Sequence, residues 1–170
     1  MNPQKTGTVR QQYIARVLVF VRNADRLLLL RGAPNKRLWA NLYNGVGGHV
    51  EAGETPEEAA YRELAEEVSL TAVDNLRLRA VITITLGDNN ADILMFVFTA
   101  WTNQHDLTPS AEGTPEWVDW GAVPADALVE DLPYLLELVL AEDDKPPFFA
   151  RYWYQDGRLQ TSLPNWEASP

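Results

Sequence analysis

The chain has no cysteine at all. That absence excludes a disulfide scaffold, a thiolate metal site and a cysteine nucleophile together. Histidine is nearly as scarce, with only His49 and His105. Neither has a third partner in the pattern that would make a zinc site or a triad, so both read as bystanders. Long apolar runs are also missing. The longest stretches, Val17–Val21 and Leu27–Leu30, fall far short of the ~20 residues that span a bilayer. Met1–Gln12 is polar, without the apolar segment of a secretory signal, so a soluble, cytoplasmic protein is expected. Positive charge is sparse: 14 Lys and Arg stand against 24 Asp and Glu, for a net charge of −10. A field of that sign repels nucleic-acid phosphate and anionic membrane surfaces, so neither a nucleic-acid polymer nor a membrane is the expected partner. The six tryptophans then read as core and rim aromatics, since a stacking platform for bases needs a basic groove beside it.

What is present is globular in kind. The composition is 46% hydrophobic and 22% charged over 170 residues. That length predicts one domain over residues 1–170, with an ordered core over about 13–163, able to bury ~70% of its unfolded surface.

Tyr13–Val21 and Arg26–Arg31 read as a strand hairpin. Gly32–Ala40, with Pro34, Asn35, Lys36 and Arg37, reads as a basic loop. Leu42–Val50 carries Gly45, Gly47 and Gly48, the mark of extended backbone running close against something. A helix is predicted over Thr55–Val68, where Thr55 and Glu58 form a capping box and Pro56 takes the first helical position. Ala60, Leu64 and Val68 make its buried stripe. Leu76–Leu86 and Ile93–Thr102 predict two strands around the Gly87–Asn90 turn, and Glu116–Trp120 a short one. Asp126–Ala141 predicts a second helix, with its regular part starting at Pro133. Phe148–Tyr154 and Arg158–Leu163 flank Asp156-Gly157, the preferred type I′ hairpin pair. Antiparallel hairpins separated by helices predict a mixed sheet covered by helices, an α/β (α+β) arrangement.

The chemistry concentrates in residues 48–70, GHVEAGETPEEAAYRELAEEVSL. Glu63, Glu66 and Glu67, at i, i+3 and i+4, share an arc of ~100° on one helix face. Like charges so spaced repel by a few tenths of a kcal/mol per pair, and the second half of a helix disfavours negative charge. Three acids alone also fit an ordinary solvated face. A hard divalent cation would reverse both penalties, because Mg²⁺ takes oxygen ligands from carboxylates and substrate phosphate.

The whole segment resembles the signature of the Nudix (MutT-type) hydrolases: Gly48, five residues, Glu54, seven residues, then Arg62-Glu63-Leu64-Ala65-Glu66-Glu67-Val68. Chance agreement at the six specified positions is on the order of one in 10⁵ over a chain of this length. Ser69 departs from the pattern, standing where the family has glycine. If that position is left-handed, serine costs ~1 kcal/mol there. Outside the box, Leu42–Glu51, Trp117 and Phe148–Tyr154 resemble the branch of the family that sanitises oxidised purine nucleoside triphosphates.

The resemblance implies the Nudix fold, an α/β/α sandwich around a mixed β-sheet. It implies Mg²⁺, with Mn²⁺ as an alternative, held by Glu63, Glu66, Glu67 and the carbonyl of Gly48. One of these acids, or Glu112 on a later loop, would activate water, and Glu54 and Arg62 would pin the loop to the helix. Arg31, Lys36 and Arg37 are candidates to receive terminal phosphates, with a merely solvated loop as the alternative. Asn44 matches a base-contacting asparagine, and Asp131 matches one base-reading carboxylate, for which helix capping is the plain alternative. Val129 and Leu132 stand where a stacking tryptophan and a second acid are expected. The activity implied is pyrophosphohydrolysis of a small-molecule nucleotide, a nucleoside triphosphate such as 8-oxo-dGTP, to the monophosphate and pyrophosphate, by a monomer or homodimer. The alternatives are a nucleotide-sugar or dinucleotide pyrophosphatase, and a non-catalytic nucleotide-sensing domain. Intact Glu63, Glu66 and Glu67, and the lack of an attached DNA-binding segment, speak against the last.

Overall fold

A computed structural model describes residues 11–87, 91–141 and 145–163. Eight strands form one mixed sheet: β1 Tyr13–Asn23, β2 Arg26–Gly32, β3 Tyr43–Asn44, β4 Asp74–Thr85, β5 Asp92–Trp101, β6 Gly113–Val118, β7 Phe148–Gln155 and β8 Arg158–Ser162. Their order is β3-β2-β1-β5-β4-β7-β8, with β6 on the other edge of β2. The pairs β1–β5 and β4–β7 are parallel and the rest antiparallel.

Alternation along β1 sets the layers. Val17, Val19 and Val21 pack with Ala60, Leu64 and Val68 of helix α1, Pro56–Val68. Leu18 and Phe20 point the other way, into a cluster with Leu132, Leu135, Leu136 and Val139 of α2, Leu132–Val139. A strand covered on both faces reads as an unbroken apolar run, and Val17–Val21 is one. The result is the expected sandwich of two helices around a mixed sheet.

Three local expectations change. The first hairpin stays paired for only two residue pairs, Arg22–Leu27 and Asn23–Arg26. Beyond them β1 and β2 part, and the glycine segment fills the gap: Asn44 and Tyr43 pair with β2, while Val46 and His49 bridge to Val19 and Arg16 of β1. The short strand begins earlier, at Gly113, because β2 supplies a partner along its whole length, and Trp120 falls in a 3₁₀ turn. The second helix is only Leu132–Val139. Residues 125–127 form a 3₁₀ turn, and Leu128 is extended and bridges Tyr43. Pro133 suits a first turn but not a helix interior, so regular helix starts there. In the other hairpin, Asp156 and Gly157 have φ of 52° and 73°, the two positive values a type I′ turn requires. Of the Gly87–Asn90 turn, residues 88–90 lie outside the described residues.

Candidate active site

Helix α1 starts where the capping box places it. Thr55 Oγ1 accepts from the Glu58 amide, and Glu58 Oε2 accepts from the Thr55 amide. Its last turn presents Glu63 and Glu67 inward, both buried, while Glu66 points outward and is largely exposed. The shared face of the three acids is therefore split by the tertiary fold. Arg62 sits among them. Its Nε donates to Glu54 Oε1 at 2.6 Å and its Nη1 to Glu63 Oε1 at 2.9 Å and Glu66 Oε2 at 3.2 Å. Its Nη2 donates to Glu54 Oε2 and to the His49 carbonyl. Glu54 also accepts from the Glu51 amide. The Arg62 guanidinium and that amide hold the Glu54 carboxyl down to about 2, and Arg62 itself is raised. One guanidinium thus ties the box loop to the helix and offsets the repulsion of the acids. Past them the helix ends on Ser69, at φ 58° and ψ 28°, so the serine does stand in the left-handed region.

The glycines explain how the acids reach the loop. A Cβ on Gly48 would lie 2.2 Å from Glu63 Oε1, and one on Gly47 would lie 2.1 Å from the Val17 carbonyl oxygen. Only backbone without side chains fits between β1 and the helix. The Gly47 amide donates to Glu67 Oε2 at 3.1 Å, and the Gly48 carbonyl accepts from Val17 at 2.9 Å, which leaves it a second lone pair. Burial pushes the Glu67 carboxyl up to about 7, opposed by the Gly47 amide and helped by the charges of Glu63 and Glu112. Such a group exchanges a proton readily near neutrality.

Glu67 and Gly47 open onto a cavity of about 460 Å³. Its near rim carries Lys36 and Glu112, which form an ion pair. Asn44 lines it too, its Oδ1 accepting from the Gly45 amide at 2.8 Å. The floor is apolar, with Ile84, Ile93 and Met95 from β4 and β5, and the far wall holds Val129, Asp131, Tyr152 and Tyr154. Asp131 precedes α2, but its side chain makes no capping hydrogen bond. Capping therefore does not account for it. Burial raises its carboxyl to about 6.

The fold thus gathers Asn44, Lys36, Glu67, Glu112 and Asp131 on one cavity, with Gly48, Glu54, Arg62, Glu63 and Glu66 beside it. Arg31 and Arg37 do not line it. Arg31 lies over the Tyr43 ring at 5.9 Å, and Arg37 is exposed. Two lining residues were missed by sequence reasoning. Arg16 is a charge inside β1 directly before the apolar run Val17–Val21, a visible anomaly, and its side chain makes no hydrogen bond or ion pair among the described residues. Tyr152 is one of many aromatics in β7, and nothing local distinguishes it.

The NUDIX domain family model matches residues 12–139. The chain is 32% identical over 139 residues to the oxidized purine nucleoside triphosphate hydrolase of Mus musculus, spanning 82% of this chain and 85% of that protein. It is 36% identical over 107 residues to the protein of the same name from Danio rerio, spanning 63% and 67%. The crystal structure of the mutator MutT protein from Bacillus halodurans superposes with a TM-score of 0.71, covering 87% of this chain and 97% of that one at 22% identity. The chain belongs to the NUDIX family and is an enzyme, a Nudix hydrolase. No helix among the described residues is long and apolar enough to cross a membrane.

Proposed function

We propose that this enzyme is a metal-dependent pyrophosphohydrolase that cleaves a nucleoside triphosphate to the monophosphate and pyrophosphate, with oxidised purines such as 8-oxo-dGTP in its substrate class. The observation that carries the reading is the one cavity that joins a carboxylate cluster and a cation at its rim to an amide and a buried carboxyl on its walls. Phosphates and a polar heterocycle are the two ends of a nucleotide. The activities named for the Mus musculus and Danio rerio relatives agree with it.

The donor set fits a hard cation. Every candidate ligand is oxygen, and the carboxylate of Glu63 lies directly against Gly48. Among the described residues, no three acids or histidines are already gathered in ligating positions, because Arg62 engages Glu63 and Glu66 and Lys36 engages Glu112. Glu63, Glu66, Glu67 and the Gly48 carbonyl would hold Mg²⁺, or Mn²⁺ in its place. When bound, the cation neutralises phosphate charge and acidifies a water. Glu67, steadied by the Gly47 amide, accepts the proton of the attacking water. Lys36 is released from Glu112 to meet a phosphate oxygen, and Glu112 is then free to order or share that proton. Arg16 adds a second positive charge on the cavity wall. Asn44 keeps its amide nitrogen free to donate to the base.

A screen of nucleoside triphosphates, including 8-oxo-dGTP, nucleotide sugars and dinucleotides with Mg²⁺ and with Mn²⁺, read by phosphate and pyrophosphate release, tests this. Triphosphates should be turned over with pyrophosphate as the product. Turnover confined to nucleotide sugars or dinucleotides would replace the substrate class, and turnover of none would end the reading.

A further inference from the structure

The hydroxyl of Tyr152 is buried without a hydrogen-bond partner, the sole side-chain polar atom of that kind among the described residues. Tyr152 is 2% exposed. An unpaired buried hydroxyl costs ~1–3 kcal/mol, and phenylalanine would fill the same space without that cost. The residue faces the cavity side of β7, in register with Ile84, which pairs in turn with Ile93. All three line the cavity, so the hydroxyl ends an otherwise apolar row across the sheet. Asp131 lines the same wall, and its carboxylate, unused for capping, is close enough to act on the phenol. Burial first, then that charge, raise the phenol, so Tyr152 remains an O–H donor. The wall therefore offers one donor beside one acceptor.

We propose that Tyr152 is a specificity-determining residue whose hydroxyl donates to a carbonyl on the substrate's heterocycle while Asp131 accepts the adjacent ring N–H. This rests on the cavity's being the nucleotide site. The pair selects a ring with C=O next to N–H, the edge of 6-oxopurines, over a 6-aminopurine, which presents the opposite pattern at those two atoms. A site built to hydrogen-bond such an edge discriminates strongly against rings that leave its buried groups unpaired.

The test uses the full chain and Tyr152→Phe, comparing kcat/KM for GTP, ITP and ATP with Mg²⁺, and titrating GMP and AMP calorimetrically without metal. The variant should lose ~10-fold for GTP, ITP and GMP while changing less than ~2-fold for ATP and AMP. It should melt no lower than wild type. Asp131→Asn, which adds an amide donor, should shift the GTP to ATP ratio several-fold toward ATP. Equal losses for both bases, no loss for either, or a lowered melting point with base-independent effects would each overturn the proposal. If wild type hydrolyses no nucleotide yet binds GMP, the hydrolase reading falls and the GMP and AMP titrations still decide Tyr152. Binding of neither monophosphate overturns the proposal as well.

Discussion

The box end of the cavity and its far wall are built in opposite ways. The box end is one continuous stretch, residues 45–69, in which a capping box, a helix and four glycines place the acids within a few residues of one another. Its contacts are dense: Arg62 alone reaches Glu54, Glu63, Glu66 and the His49 carbonyl. The far wall takes Val129 and Asp131 from the approach to α2 and Tyr152 from β7, over a floor that includes Ile84 of β4. Among the described residues its polar side chains make few hydrogen bonds, and the Tyr152 hydroxyl makes none. Dense local bonding makes a rigid device for one reaction, whereas sparse bonding between distant strands leaves groups free for a ligand.

The largest expected effect sharpens that contrast from the chemical side. Glu66→Gln keeps the side-chain shape but removes a charge from a residue whose one side-chain polar partner among the described residues is Arg62. Turnover should fall at least ~100-fold. Stability in EDTA should hold or rise slightly, since a like charge on the helix is gone, while the rise in Tm on adding Mg²⁺ should largely vanish. Thermal melts with EDTA and with millimolar Mg²⁺ check both. A variant clearly weakened in EDTA that keeps the full Mg²⁺ shift would move the metal assignment to Glu63, Glu67 and Glu112.

Two neighbouring glycines separate folding from function inside the box. Gly47→Ala drives a Cβ into the backbone carbonyl of Val17, which cannot yield without moving β1. It should cost ~3 kcal/mol in urea denaturation. Gly48→Ala meets only the end of the Glu63 side chain, which can swing away. Its stability should change by less than ~1 kcal/mol, and Mg²⁺ affinity by calorimetry should drop ~10-fold. Equal destabilisation by the two would mean that Glu63 is as fixed as the strand.

Glu67 gives a pH signature of similar size to the Gly47 change. Its folded pKa, about 7, lies above the unfolded value of 4.5, so the folded state binds the extra proton between those values. Stability of the metal-free protein should therefore be full below about pH 4.5 and fall by ~2–3 kcal/mol as pH rises to 7. Asp131, raised to about 6, adds the same sign at lower pH. Glu54, held at about 2, acts oppositely only as pH falls below about 4.5. Denaturation midpoints in EDTA across pH 4.5–8 should show the decline in wild type and a shallower one in Glu67→Gln, and parallel curves would remove Glu67 as its source.

The smallest effect is at the helix end. Ser69→Gly relieves a left-handed φ of 58° worth ~1 kcal/mol, partly offset by the looser unfolded chain. A net gain of ~0.5 kcal/mol is expected by chemical denaturation, with activity unchanged. A loss would show that the hydrogen bond accepted by the Ser69 carbonyl from Gln104 depends on the serine backbone being held as it is.

Much of the fold was legible because its signals are local. Helix α1 matched to a residue at its cap, since Thr55, Pro56 and Glu58 act over one turn. The β7–β8 turn was equally plain, because Asp-Gly favours positive φ at both positions whatever surrounds them. The second helix was overextended at its start because leucine spacing continues through Leu128, and only the bridge from Leu128 to Tyr43 shows that this leucine belongs to extended backbone. The separation of β1 from β2 was invisible for the same reason: a hairpin turn reports its own two residues and not what later wedges between the strands.

The sequence by itself determined the carboxylate helix, the glycine segment that must lie beside it, and the net charge of −10. These follow from spacing along a helix of known pitch, from the absence of a Cβ, and from a sum of charges. Only the tertiary structure decided that Glu63 and Glu67 are buried while Glu66 is not, that Arg31 and Arg37 miss the cavity while Arg16 lines it, and that Asp131 and Tyr152 share a wall. Burial and adjacency there depend on which strands pair across the sheet, and β4, β5, β7 and the approach to α2 meet at that wall from positions tens of residues apart in the chain.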